Sequence, residues 1–236
     1  MLKMIRLLAT QLLLLISIVA YSQREDRVLY QQRLVRSIDL RITENENLFG
    51  KENKIAEVLL NALREGEITA YTSYSLNDTL SSEELDYRLK HFYSDGSFEY
   101  YSLKDLYQME LGEDLVFDTY RSELQFKPVY ITLLIPELVS DKGLIEPLAT
   151  FRWEDCIKIF RKYNVLTYKP VYNGRKINLT EVFVMHAYKS HICKIGKEDE
   201  VSYFDQRYAN QIDAFLAGKE EEKKIIEIVY KLYNPR

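Results

Sequence analysis

Two cysteines, three histidines, eight glycines and five prolines are all that this 236-residue chain holds of the residue types on which much site chemistry and tight-turn architecture depend. Cys156 and Cys193 form no C-x-x-C pair. They could close one disulfide or stand as two buried free thiols, because sequence does not fix the distance between their Cα atoms. The histidines are His91, His186 and His191. The last two are five residues apart, roughly 140° around a helix of 3.6-residue repeat, so their imidazoles diverge and no metal site is expected. There is no G-x-S-x-G elbow and no glycine-rich phosphate loop. Basic charge is not in excess: Lys plus Arg is 32 against 36 for Asp plus Glu. Nucleic-acid affinity comes mainly from basic neutralisation of phosphates, so nucleic acid is not an expected partner. No apolar run reaches the roughly 20 residues that a spanning helix needs.

What is present begins with residues 1–22. Lys3 and Arg6 give a short positive start, Leu7 to Tyr21 is almost wholly apolar, and Ala20-Tyr21-Ser22 offers small residues where a signal peptidase looks. That is the pattern of a cleaved secretory signal peptide. No cysteine ends the leader, so a lipid anchor on this chain is not expected. The mature chain, residues 23–236, is then predicted to work outside the cytoplasm. The leader holds two bases and no acid, so its removal moves the formal charge from −4 to −6. A chain of this length buries roughly 70% of its unfolded surface and needs no disulfide framework. Tyrosine is the compositional outlier, with 19 residues. Its ring favours strands and interfaces, which suits a β-containing core or a surface built to bind protein.

The patterning predicts an α+β fold. Ile55, Val58, Leu59, Ala62 and Leu63 share one helix face, between Asn53 as N-cap and Gly66 as C-cap. Ile68 to Tyr74 alternates like a strand, Asn77-Asp78 turns, and Ser81 with Glu84 has capping-box spacing for a helix to about Phe92. The order recurs 97 residues later: Leu60 falls on Ile157, Leu63 on Phe160, Ile68 on Val165, and Ser81/Glu84 on Asn178/Glu181. The strand through Ile38 has its counterpart through Ile135. Two similar strand-helix-strand-turn-helix halves, roughly 34–92 and 131–194, are therefore expected around a mixed or antiparallel sheet. Tyr93 to Phe98 reads as a hairpin with Asp95-Gly96 in a type I′ turn. Leu115 to Ile135 is the strongest β region, with Val116, Asp118, Tyr120, Ser122, Leu124 and Phe126 on one face if it runs extended. Pro128 places a break or an edge within it. C-terminal helices are expected over 202–234, with one stripe (Phe204, Tyr208, Ile212, Phe215, Leu216) ending at Gly218 and another from Ile225 to Tyr233. The charge run between them is a solvated face.

Three functional readings remain open from the residues. One is a non-enzymatic assembly subunit. A second is a periplasmic ligand-binding module, which needs a deep apolar pocket with a few convergent polar groups. A third is a hydrolase using Asp118 or Ser122, for which no histidine stands near in sequence.

Four stretches together resemble the gliding motility protein GldN/PorN family. They are Ser37-Ile38-Asp39-Leu40-Arg41, then Gly66 to Tyr71, then Phe117-Asp118-Thr119-Tyr120-Arg121-Ser122 before the strand into Leu134-Ile135-Pro136, and Phe183 to Lys194. The second matches G-x-x-x-A-Y, the third F-D-x-x-R-S, and the last F-x-M-x-x-aromatic-x-S-x-I-x-K. Val116 replaces the tryptophan usual before F-D. The resemblance marks Asp39, Tyr71, Phe117, Asp118, Arg121, Ser122, Phe183, Met185, Tyr188 and Ser190 as structural or interface candidates. It implies a periplasmic component of a type IX secretion and gliding complex, without cofactor and without enzymatic activity. The partners it implies are a GldK/PorK-like outer-membrane lipoprotein, a GldM/PorM-like periplasmic shaft protein, and further copies of itself in a ring.

Overall fold

The computed structural model describes residues 28–50, 54–118, 123–170, 173–197, 200–203 and 210–234. Residues 1–22, read above as a leader, Asn53, Thr119 to Ser122 and Phe204 to Tyr208 lie outside these. In chain order the strands are β1 (Val28–Asp39), β2 (Ala70–Tyr71), β3 (Lys90–Phe92), β4 (Phe98–Tyr100), β5 (Gln108–Asp118), β6 (Glu123–Ile135), β7 (Glu146–Arg152), β8 (His191–Lys197) and β9 (Glu200–Tyr203). The helices are α1 (Glu46–Phe49), α2 (Lys54–Arg64), α3 (Ser82–Arg88), α4 (Trp153–Lys162), α5 (Leu179–Val184) and α6 (Gln211–Tyr233). Seven strands form one sheet in the order β2-β7-β6-β5-β1-β8-β9, antiparallel at every pair. The expected choice between a mixed and an antiparallel sheet thus resolves to the second. β3 and β4 make a separate two-stranded ribbon.

The long strands β1, β5 and β6 do most to shape the molecule. Side chains two apart share a sheet face, so Leu34, Arg36 and Ile38 lie on one face, opposite Glu113, Leu111 and Met109 of β5. Two apolar clusters sit on this face, one at each end. The larger packs Ile38, Met109, Leu111, Ile131 and Leu133 beneath Ile55, Leu59 and Leu60 of α2, Phe160 of α4 and Phe183 of α5. The smaller packs Leu34, Leu115 and Ile192 against Ala217 and Ile225 of α6. Arg36 and Glu113 stand between them.

The halves expected from sequence recur as helix, short bridge and capped helix. Tyr71 bridges Thr79 and Leu166 bridges Asn178. Ser81 Oγ accepts from Glu84 N at 3.1 Å, and Asn178 Oδ1 from Thr180 N at 3.0 Å, so each second helix starts on a side-chain cap. Asn178 Nδ2 also donates to the Phe160 carbonyl and ties α5 to the end of α4. The halves differ where β7 precedes α4, while α1 precedes α2.

Several boundaries depart from expectation. Leu115 to Ile135 is two strands, because Phe117 pairs with Leu124 and Asp118 with Glu123. The chain therefore reverses within the F-D-x-x-R-S stretch, and the even-numbered residues on either side of it do not form one extended run. α3 stops at Arg88 and the chain to Phe92 becomes β3. Of Ile68 to Tyr74 only Ala70–Tyr71 is strand. The β3–β4 hairpin closes with Tyr93 N bonding Ser97 O and Gly96 N bonding Tyr93 O, and Gly96 alone of the loop has positive φ. That is a type I turn with a left-handed glycine, where type I′ would need positive φ at Asp95 as well. Ser202 belongs to β9, not to a helix.

Gly218 does not end a helix. It lies within α6, where a Cβ would stand 2.1 Å from the Ile192 carbonyl oxygen of β8. The residue is glycine because helix and strand backbones touch there. Gly112 on β5 serves a similar end, since a Cβ would meet the Tyr130 ring at 2.3 Å.

Candidate functional site

The seam between the two clusters concentrates the buried polarity of this face. Glu113, its side chain fully buried, accepts from Arg36 Nε at 2.7 Å. Its other oxygen accepts from Tyr188 Oη at 3.3 Å and lies 3.5 Å from His186 Nε2. His186 Nδ1 sits 3.2 Å from the same tyrosine hydroxyl. The His186 ring meets Phe126 edge-on, and Arg36 stacks over Phe126 at 5.5 Å. Burial lowers the His186 pKa and raises that of Tyr188, and the Glu113 charge pushes Tyr188 further up. The cluster is closed: each charge has its counter-charge and each hydroxyl its acceptor. The other sheet face carries two more buried pairs. Lys194 Nζ reaches Glu110 at 2.6 Å with 1% of its side chain exposed, and Arg33 forks onto Asp114. Tyr130 packs over Gly112, stacked on Tyr74. Its hydroxyl is buried without a hydrogen-bond partner among the described residues.

The sequence-predicted residues fall in four places. Asp39 ends β1, where Arg41 grips its carboxylate. Burial would raise the Asp39 pKa, but those hydrogen bonds outweigh it and hold the carboxyl below its ordinary value. Fully buried Asn45 then donates to both the Asp39 and Lys189 carbonyls at 2.8 Å and accepts from Lys189 N at 2.7 Å. It stitches the first motif to the last. Phe183 lies in the main core, stacked with Phe160 and edge-on to Trp153, and Tyr188 packs on it at 5.6 Å. Half-buried Ser190 directly precedes β8, and Met185 caps α5 and faces outward. Phe117 is buried against Tyr233 of α6, and Asp118 closes β5. Arg121 and Ser122 lie outside the described residues. Tyr71 stands apart at the β2 edge, where its hydroxyl accepts from Arg152 Nε at 2.7 Å. The structure thus brings the first and last motifs together and leaves Tyr71 and Phe117 elsewhere.

Among the described residues neither cysteine is in a disulfide. Cys156 is fully buried beneath α4 among apolar side chains, and burial raises its thiol pKa. Cys193 Sγ instead faces the Val35 carbonyl at 3.4 Å and Glu110 at 3.9 Å. The disulfide expectation gives way to its alternative, two separate thiols.

Sequence reasoning missed the Arg36–Glu113 and Lys194–Glu110 pairs. A signal existed: β1 and β5 carry opposite charges mid-strand, at Arg33 and Arg36 and at Glu110, Glu113 and Asp114. It also missed how far aromatics gather outside. Tyr87 and Phe92 lie 5.3 Å apart, Phe92 and Phe98 6.0 Å, and Phe98 and Tyr100 5.7 Å. Tyr87, Phe98 and Tyr100 are each half or more exposed. Beside them a groove of about 370 Å³ runs between α2 and α3, lined by Leu63, Arg64, Leu80, Leu85, Asp86 and Tyr100.

A family model described as "Gliding motility associated protein GldN" matches residues 23–234. The chain belongs to the GldN family. That span takes in all ten motif residues, the seam, the aromatic ribbon and α6, so these features lie in the GldN-type domain itself. No individual curated protein matches the chain at a significant level. The family is associated with gliding motility, and the resemblance of the four short stretches is now joined by a match over nearly the whole chain. Among the described residues no helix is long and apolar enough to cross a membrane.

Proposed function

We propose that this protein is a non-enzymatic subunit of a type IX secretion and gliding complex, working in the periplasm. In this reading it sheds residues 1–22, binds a GldK/PorK-like outer-membrane lipoprotein, meets a GldM/PorM-like shaft protein, and repeats around a ring. The observation that carries the proposal is the GldN match from residue 23, the first residue after the expected leader. Two features of the structure support it. Exposed aromatics gather on the β3–β4 ribbon, and aromatic residues are what protein interfaces are enriched in. The buried charges are matched to one another rather than aimed into a cleft. A closed ring needs a head-to-tail contact between unlike faces, which two related but non-identical halves supply.

The ligand-binding alternative would use the groove beside α3. Three of its polar groups are engaged in the fold: Ser81 caps α3, and Asp86 takes hydrogen bonds from Lys90 and from Tyr100, itself a lining residue. An affinity-tagged chain expressed in its own cells tests the proposal. Release by osmotic shock or recovery with the outer membrane, together with co-purification of a lipoprotein in stoichiometric amount, is the expected result. A cytoplasmic, partnerless monomer would overturn it.

A further inference from the structure

The outward face of α6 carries a seam of its own. Ile212, Leu216, Lys219, Lys223, Ile226 and Tyr230 are spaced 4, 3, 4, 3 and 4 residues apart. At 100° per residue all six fall within roughly 80° of arc. Ala214, Ala217, Gly218, Ile225 and Val229, which meet the sheet, fall on the opposite side. All six seam residues are exposed: Ile212 by 71%, Leu216 by 55%, Ile226 by 68% and Tyr230 by 69%. Alternating steps of three and four along an apolar stripe are the pattern by which one helix packs along another. The stripe is apolar at both ends and carries two lysines in the middle, Lys223 and Lys219, the latter in a surface ion pair with Glu222 at 2.7 Å, and acidic Asp213, Glu220 and Glu227 run beside it.

The charges select the occupant. A second copy aligned centre to centre would set Lys219 and Lys223 against lysines, whether parallel or antiparallel. We infer that α6 is the docking site for one amphipathic helix of another protein, with apolar residues at both ends of its seam, acidic residues in the middle and basic residues alongside. This rests on the assembly reading for its biological setting and adds the site and the chemistry of the partner. The contact would run about 27 Å from Ile212 to Tyr230 at 1.5 Å per residue.

The test uses the full chain purified from its own cells and two synthetic helical peptides of 21 residues. They share apolar ends and differ in having Glu-Glu or Lys-Lys at the centre of the seam. Fluorescence anisotropy is expected to show the Glu-Glu peptide binding at least about tenfold more tightly. The double variant K219E/K223E should reverse that preference. The double variant gives up the surface ion pair of Lys219 with Glu222 at 2.7 Å, worth about 0–1 kcal/mol. The circular dichroism spectrum should therefore keep its shape while Tm falls by a few degrees at most, and Lys223→Glu alone should move the peptide preference in the same direction. Equal binding of the two peptides, or a preference that survives the double variant, would overturn the inference. In cells, K219E/K223E should lose a partner that wild type retains, and undiminished recovery of that partner would overturn the inference also. A wild type that recovers no envelope partner, yet shows the peptide preference and its reversal, would sink the assembly reading and leave the helix site standing.

Discussion

Substituting Gly218 by alanine sets two effects of opposite sign against each other. In an isolated helix the change favours folding by about 1 kcal/mol, because alanine loses less backbone freedom than glycine. Here the new methyl carbon would stand 2.1 Å from the Ile192 carbonyl oxygen, inside any contact real Cβ atoms make. That oxygen is main-chain and cannot swing aside, so α6 must move outward by roughly 1 Å to restore ordinary contact. Such a shift loosens Ala217 and Ile225, the two α6 side chains buried in the smaller cluster. Overpacking of a close contact costs about 1–3 kcal/mol, and lost burial at Ile225 adds to it. The net expectation is destabilisation by about 1–2 kcal/mol, or roughly 2–8 °C in Tm for a chain of this size. Urea melts of wild type, Gly218→Ala and the exposed-site control Lys223→Ala measure it, and proteolysis should cut α6 first in the glycine variant. A Gly218→Ala protein more stable than wild type would refute the close approach of α6 to β8.

Glu113→Ala should cost about 3 kcal/mol, because it leaves the Arg36 guanidinium buried without its counter-charge; Glu113→Gln should cost less, and denaturant midpoints of the pair decide. Tyr130→Phe should be neutral or slightly stabilising, since it deletes a buried hydroxyl that has no partner among the described residues, while Gly112→Ala beneath the same ring should destabilise. Burial lowers the His191 pKa, and nearby Lys219 lowers it further while Glu222 opposes. A depressed histidine value means the unfolded state binds more protons, so stability is full above about pH 6.5 and falls as the pH drops towards the folded value. Urea midpoints at pH 7.5 and 5.5 should differ less in His191→Phe, which keeps the edge contact with Phe215, than in wild type.

Local periodicity carried the helices well and the sheet less well. α2 was legible because five apolar residues repeat at helical spacing, α4 because Ile157 and Phe160 fall on Leu60 and Leu63 in the 97-residue repeat, and Ser81 and Asn178 cap where their side chains predicted. The central hairpin was not, because a run such as Leu115 to Ile135 is equally apolar whether it extends or folds back; only strand pairing, a long-range choice, decides it. Gly218 misled for a related reason. A glycine after a stripe is locally a stop signal, and the Ile192 carbonyl that requires it lies in another element. The seam was hidden likewise. Glu113 and Arg36 are 77 residues apart and read as unremarkable charges until the β1–β5 register puts them on one face. Tyr188, Phe183 and Asp39 were singled out by resemblance, and the structure adds the reason they travel together: Asn45 and Glu113 connect the two segments.

The two faces of α6 are linked thermodynamically, and this gives the docking site a signature that does not depend on finding the partner. Its buried face offers mainly small residues, Ala214, Ala217 and Gly218, with Ile225 and Val229 the larger ones. α2 by contrast buries Ile55, Leu59 and Leu60 in the main core. Apolar area removed from water sets how firmly an element is held, so α6 should undock locally at a lower free energy than α2. A helix bound along the outer seam sees only the docked, ordered α6. It therefore stabilises that state by RT ln(1 + [L]/Kd), about 2.7 kcal/mol at a hundredfold excess over Kd. Amide hydrogen exchange reads both terms. In the free protein, α6 amides should exchange faster than those of α2. With the acidic-centred peptide at a hundred times its Kd, α6 exchange should slow by about a hundredfold while α2 stays as it was. An α6 already protected as strongly as α2 would refute the weak docking, and slowing spread evenly over the chain would show that the peptide binds somewhere other than this seam.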